Sequence, residues 1–216
     1  MTAFLILAGT IGFFLLEYNN PSTMGELSVP EKLMASAFQS VTTRTAGYAS
    51  VSQSGLSAGS RFLGCILMFI GGSPAGTAGG IKTTTAAMLL LTAVSVLRGR
   101  RDTECFGRRV ADDIVRSGIT ITLITFISWL AGVMALGIFE PGRDFLNLMY
   151  EASSAIGTVG LSADLTPQLS RASHVVLMLL MYIGRIGPLT MALVFAGKAD
   201  KSVQFRELPE KRLMLG

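Results

Sequence analysis

Two short runs of this 216-residue chain, Thr43-Arg-Thr-Ala-Gly47 and Gly157-Thr-Val-Gly160, are rich in Thr and Gly and follow apolar stretches. Glycine reaches positive φ without a Cβ penalty, so backbone carbonyls in such a run can turn to one side unobstructed. Carbonyls gathered that way can replace the hydration shell of a potassium ion, whereas a single Thr/Gly turn serves equally as a helix cap. Occurring twice at one offset, the pair reads as an ion filter formed by Thr45, Ala46 and Gly47 with Thr158, Val159 and Gly160.

A second group lies in residues 59–97, an apolar stretch that as one helix would measure about 58 Å, nearly twice a hydrocarbon core of about 30 Å. It must break, and Gly71-Gly-Ser-Pro-Ala-Gly-Thr-Ala-Gly-Gly80, with five glycines and one proline in ten residues, cannot sustain a helix. The pieces are residues 60–70 and 81–97, joined by a flexible polar loop at membrane depth below the first filter run. Lys82 and Thr83 after the glycines invite a nucleotide-binding reading. The phosphate-loop pattern fails because Ile81 separates Gly80 from Lys82 and no strand precedes it.

Arg185 stands 14 residues into an apolar stretch of 26, residues 172–197. A charge at that depth costs about 2.5–3.5 kcal/mol unless paired or hydrated, so it reads as functional, facing the loop carbonyls as an electrostatic barrier to cations. Helix stapling is the plainer alternative. Pro188 is expected to kink the same helix.

These groups need apolar elements to hold them. Half of the residues (50%) are hydrophobic, 15% are charged and the mean hydropathy is +0.54, against roughly 25% charged in typical globular chains. The balance excludes a disordered chain, a nucleic-acid arm and a highly charged coiled coil. Further spans are expected at residues 2–16, slightly short and starting so soon after Met1 that a cut span is expected, and at 117–139, which carries Trp129. A signal peptide is disfavoured by the lack of a basic leading region and of a cleavage site. Five arginines in residues 98–109, with Lys198, Lys201, Arg206, Lys211 and Arg212, place the linker and the C-terminus in the cytoplasm. Cys65 and Cys105 form no CxxC and there is one His, His174, so neither a disulfide framework nor a metal site is read and both thiols are taken as passive.

The chain also matches itself at an offset of 113 residues without a gap. Ser40, Thr45, Gly47 and Ser57 fall on Ser153, Thr158, Gly160 and Ser170, and Leu67-Met-Phe-Ile-Gly71 falls on Leu180-Met-Tyr-Ile-Gly184. Internal repeats are common in transporters, whose sites lie where repeats meet. Each repeat reads as a span, a link with Pro21 or Pro141, a short helix (31–43 or 144–156) too short to cross, a Thr/Gly turn and a returning span. The fold class is therefore all-α integral membrane, with two span–pore-helix–span repeats. The divisions are a pore repeat at 1–97 with a broken second span, a basic cytoplasmic linker at 98–116, a pore repeat at 117–197 and a cytoplasmic tail at 198–216.

The segments Phe38 to Tyr48, Met68 to Thr85, Gly157 to Ser162 and Tyr182 to Thr190 resemble the potassium-translocating membrane subunits of the Trk/Ktr/HKT superfamily, most closely the Ktr type. The resemblance implies four such repeats around one pore, this chain being like the third and fourth. It places filter glycines at Gly47 and Gly160, a gating loop at Gly71, Gly72, Ser73, Gly76, Thr77, Gly79 and Gly80 with Lys82 beside it, and a gating arginine at Arg185. It implies partners as well: the missing N-terminal repeats, membrane lipid, a second copy in a homodimer and a cytoplasmic nucleotide-binding regulatory subunit, but no nucleic acid. The expected function is potassium uptake across the plasma membrane, by a multi-pass protein that is not an enzyme and needs no cofactor. Coupling to sodium, as a second transported ion, stays open at this level. The alternative is a non-conducting assembly or signalling subunit using the same helices only for packing.

Overall fold

The computed structural model describes residues 1–74, 76, 78–100, 102–105 and 108–187, with Cys105 as backbone only. The helices run α1 (Thr2–Glu17), α2 (Val29–Thr42), α3 (Ala58–Phe69), α4 (Thr83–Leu97), α5 (Asp112–Phe139), α6 (Phe145–Gly157) and α7 (Arg171–Ile186). Their starts follow capping chemistry. Ser28 opens α2 in a capping box with Glu31, and Pro30 sits in its first turn, where no intrahelical N–H is needed. Ser57 and Ser170, equivalent in the two repeats, cap α3 and α7 by accepting from Ser60 N at 3.2 Å and Ser173 N at 3.3 Å.

Packing repeats too. α1 lies against α2 and α3, and α5 lies against α6 and α7, while α6 also packs on α3 and so joins the halves. All but the first three residues of α6 are buried, in a core with Met68, Val133, Leu136, Leu177 and Leu180. The polarity of inside and outside is unlike that of a water-soluble protein. Ser36, Gln39, Ser40, Thr42, Glu151 and Ser153 are buried, whereas Phe4, Leu7, Ile11 and Leu15 of α1 and Ile119, Leu123 and Ile127 of α5 face outwards. Among the described residues, α5 is long and apolar enough to cross a membrane; α1, α3 and α4 are apolar but shorter.

Three expectations need correction. The ungapped 113-residue offset holds from α2 onward but not before, because 11 residues separate α1 from α2 and only five separate α5 from α6. α5 begins at Asp112, inside the expected linker, where Asp112 and Asp113 suit the positive end of a helix dipole. Within the linker, Glu104–Cys105 (β1) and Arg108–Arg109 (β2) pair antiparallel, and Arg109 bridges Asp102 and Asp112 at 3.1 Å each. Part of its positive charge is thus locally neutralised. Finally, α7 stops at Ile186, since Gly187 takes φ +87° ahead of Pro188, which disfavours helix in the residue before it. Arg185 therefore sits in a last helical turn, where the dipole favours a cation, and not in mid-helix. Pro188, the rest of the expected span and the tail from 198 lie outside the described residues.

The two halves share a clamp that the sequence pattern did not announce. Glu17, at the end of α1, accepts from Ser57 N at 2.9 Å, and Glu140, just after α5, accepts from Ser170 N at 2.7 Å and Ser173 Oγ at 2.8 Å. The Ser170 N–H, and then the Ser173 and Ser170 hydroxyls, hold the Glu140 carboxyl below the usual range. A depressed folded pKa means that the stability Glu140 contributes is present above the ordinary carboxylate value and is lost as pH falls through the folded one. The melting temperature of purified protein is accordingly expected to fall less on acidification in Glu140→Gln than in the wild type. Parallel pH profiles would show that the clamp carries no stability.

Candidate functional site

Each Thr/Gly run follows a short helix, α2 exposed along one face and α6 buried, and the backbone takes the same alternating path in each. Thr45 and Thr158 have φ of +70° and +53°, and Gly47 and Gly160 have φ of +79° and +93°. Positive φ was expected at the glycines; its presence at their threonine neighbours two positions earlier was not. A β-branched residue holds that conformation only where its surroundings over-determine it. The turns are fastened to the helices before them: Ala46 N and Gly47 N donate to Thr42 O at 3.2 and 3.3 Å, and Val159 N donates to Ser154 O at 2.9 Å. They also touch each other. A Cβ on Gly47 would run into the Val159 carbonyl oxygen, and one on Gly160 would come to 4.0 Å of the Gly47 Cα. The first run thus meets the second where Gly47 adjoins Val159 and Gly160; Thr45, Ala46 and Thr158 flank that contact in sequence.

Different polar networks back the two turns. Behind the first, Gln39 and Gln53 exchange hydrogen bonds of 2.7 and 3.1 Å, and Tyr150 Oη donates to Gln53 Oε1 at 2.8 Å, tying α2 and the chain after the first turn to α6. Behind the second, the buried Glu151 accepts from Ser162 Oγ at 2.6 Å, Ala163 N at 3.0 Å and Thr166 Oγ1 at 2.5 Å. Reading the sequence alone missed these residues. Glu151 falls on Phe38 at the repeat offset, so symmetry gave no signal, although a lone carboxylate inside an apolar helix was visible.

The helix breaks where the glycines predict, and the loop from Gly71 to Gly80 is pinned at its neck. Ile70 and Ile81 form a parallel bridge, Ile81 N donates to Phe69 O at 3.1 Å and Thr83 N donates to Gly72 O at 3.1 Å. Lys82 Nζ donates to the Ala78 carbonyl and, at 3.4 Å, to that of Gly76. The loop meets both turns and not the first alone. Arg44 Nη2 donates to Gly71 O at 2.9 Å, and Gly79 N donates to Thr158 Oγ1 at 2.9 Å. Gly72, Ser73 and Gly80 belong to the same loop; Thr77 lies outside the described residues.

Arg185 lines a cavity of about 240 Å³ with Ala78, Gly80 and Lys82, and a second of about 480 Å³ with Thr158, Val159 and Gly160. It is therefore placed beside the loop and also beside the second turn, which its sequence position did not indicate. Arg44, inside the first run, was overlooked as a loop contact; its signal was a charge between two threonines of a turn.

The family described as TrkH, Cation transport protein, matches residues 1–205. Ktr system potassium uptake protein B of Bacillus subtilis (strain 168) is 39% identical over 192 residues, covering 89% of this chain and 43% of that protein. Potassium/sodium uptake protein NtpJ of Enterococcus hirae is 36% identical over 219 residues, covering 100% and 48%. The chain thus spans about half the length of the curated relatives it matches. The crystal structure of the potassium transporter TrkH from Vibrio parahaemolyticus shares its fold, with a TM-score of 0.68, 20% identity and coverage of 89% of this chain and 42% of that one. With the match running from the first residue through both turns, the loop and Arg185, the chain belongs to the TrkH cation transport protein family, whose members are transporters and not enzymes.

Proposed function

We propose that the chain forms half of a potassium-conducting pore in the plasma membrane, as two span–pore-helix–span repeats. The observation that carries this is the matched pair of turns, each with positive φ at Thr and at Gly two residues on, adjoining one another through Gly47 and Val159. Positive φ alternating with ordinary backbone turns successive carbonyls toward one side, the arrangement that substitutes for water around an unhydrated cation. α2 and α6 are short helices of 14 and 13 residues, about 20 Å each, so they enter the membrane without crossing it. Irregular backbone at that depth is tolerated where it is buried or lines a cavity, which suits the turns and the loop from Gly71 to Gly80.

The loop and Arg185 act as the gate on the cytoplasmic side. The loop stands against the turns where an ion would leave them, and the guanidinium opposes a cation at the same level. Conduction is passive, driven by the membrane potential. The chain works with a further pair of repeats that completes the ring, as a homodimer, with membrane lipid around it and a cytoplasmic nucleotide-binding regulatory subunit under the linker and tail. The Bacillus relative is a potassium uptake protein and the Enterococcus relative a potassium/sodium uptake protein, which leaves sodium as a second ion to be tested.

The test is rubidium-tracer uptake by potassium-starved cells lacking their own uptake systems. It compares the chain alone, the chain with a supplied N-terminal half and that pair carrying Gly160→Ser. Uptake is expected only from the pair, with altered preference for rubidium over sodium in the variant. Absence of uptake from every combination, despite confirmed insertion, would favour a non-conducting assembly or signalling subunit.

A further inference from the structure

The loop and the turns are joined at two specific points. At one end of the loop the Gly71 carbonyl accepts from Arg44 Nη2 of the first turn, and at the other the Gly79 N–H donates to Thr158 Oγ1 of the second, both at 2.9 Å. Packing follows the same plan. A Cβ on Gly72 would lie 3.9 Å from Thr45 Oγ1, and one on Gly79 would lie 2.7 Å from Thr158 Cγ2 and Oγ1. Thr45 and Thr158 are the two threonines at positive φ, matched at the repeat offset; the loop bonds the side chain of Thr158 itself and that of Arg44, next to Thr45. Arg44 Nη1 is buried without a hydrogen-bond partner among the described residues, so the bond to Gly71 is what holds this guanidinium to the loop.

We infer that the loop braces the filter, and that Arg44 and Thr158 are positioning residues through which the loop's position sets ion preference. The inference rests on the filter and gate assigned above and gives those parts a second connection beyond steric obstruction. With the loop in place, the turns are held at Arg44 and at Thr158. When the loop moves aside, both bonds break and the turns lose part of what fixes their carbonyls. Selectivity and opening are then one coupled equilibrium, and by reciprocity an ion seated in the filter favours the braced position of the loop.

A double-mutant cycle separates this from a local role of Thr158 in the filter. The complete transporter, both halves present, is assayed for rubidium and sodium uptake in four forms: wild type, Thr158→Val, deletion of residues 74–79, and the two combined. Valine keeps the β-branch and removes the acceptor; the deletion removes the Gly79 donor. Thr158→Val is expected to lower the rubidium-over-sodium preference by about five-fold, the scale of one neutral hydrogen bond. The deletion should do likewise, and the combination no more than either. Thr158→Ser, which keeps the hydroxyl, should restore the preference, and Arg44→Gln, which shortens the donor that reaches the Gly71 carbonyl, should lower the preference as Thr158→Val does. Where the deleted form fails to insert, Gly79→Pro, which removes the same N–H, completes the cycle. A Thr158→Val effect of equal size with and without the loop, or altered flux at unchanged preference, would overturn the brace. Lack of uptake by the inserted wild type would instead remove the transport reading itself, which the same assay reports first.

Discussion

Gly47→Ala is expected to lower rubidium uptake by about ten-fold or more and to erase its preference over sodium, whereas Gly160→Ala is expected to do markedly less. Both positions sit at positive φ, +79° and +93°, where any L-residue other than glycine pays roughly 1–2 kcal/mol. The difference lies in what a methyl group would meet. At Gly160 the nearest atom is the Gly47 Cα at 4.0 Å, an ordinary contact, so the backbone term stands alone. At Gly47 the methyl would collide with the Val159 carbonyl oxygen of the other turn, and relieving such overpacking costs about 1–3 kcal/mol more. The oxygen that must yield is one of those assigned to hold the ion, so the collision reaches function directly. Paired uptake and melting measurements on the two variants check this. Equal losses, or a larger loss at Gly160, would mean that the turns do not adjoin as described.

Glu151→Ala should be the most damaging single change away from the turns, lowering stability by about 3–5 kcal/mol and uptake with it. The carboxylate is 4% exposed and accepts from two hydroxyls and the Ala163 backbone N–H. Alanine strands these donors, and a buried donor left without a partner costs about 1–3 kcal/mol. Glu151→Gln should cost less, because the amide oxygen still accepts and the Ser162 and Thr166 hydroxyls can rotate to receive the new N–H groups. The consequence for function follows from position: the chain anchored by Glu151 is the stretch that leaves the second turn, so its release loosens Gly160. Thermal unfolding of the solubilised full-length protein, read beside rubidium uptake, gives both numbers. An unchanged melting temperature in Glu151→Ala would show that the network is ornamental, and an unchanged uptake with a lowered melting temperature would confine Glu151 to stability.

Much of this site was legible in the order of residues because its physics is local. Glycine-rich runs cannot be helical, so the break between α3 and α4 and the two turns announced themselves, and α2 and α6 were placed within about two residues by apolar spacing and length. Ser57 and Ser170 begin helices by a bond to an N–H three residues on, which makes the repeat readable over the segments where its offset holds. Arg185 was marked by its charge in an apolar stretch, although its place in the last turn of α7 depended on Gly187 and Pro188 ending the helix sooner than hydropathy suggested.

What escaped the sequence are pairings across distance. Arg44 reaches a carbonyl 27 residues away, Gly79 reaches a hydroxyl 79 residues away, and Tyr150 reaches an amide 97 residues away. No periodicity or motif encodes these partners, because each depends on how separate helices pack: Arg44 on the first half alone, Gly79 and Tyr150 on the joining of the two halves. The positive φ of Thr45 and Thr158 belongs to the same class, since threonine has no preference for that region and adopts it here through contacts. The sequence by itself determined that there would be two glycine-bearing turns, a broken helix and a stray arginine, since each follows from what a residue allows its own backbone or costs in an apolar stretch. Only the tertiary structure decided that the turns adjoin, that the loop is fastened to both and that a carboxylate and two glutamines stand behind them, because those facts are set by which surfaces the packed helices bring within hydrogen-bonding reach.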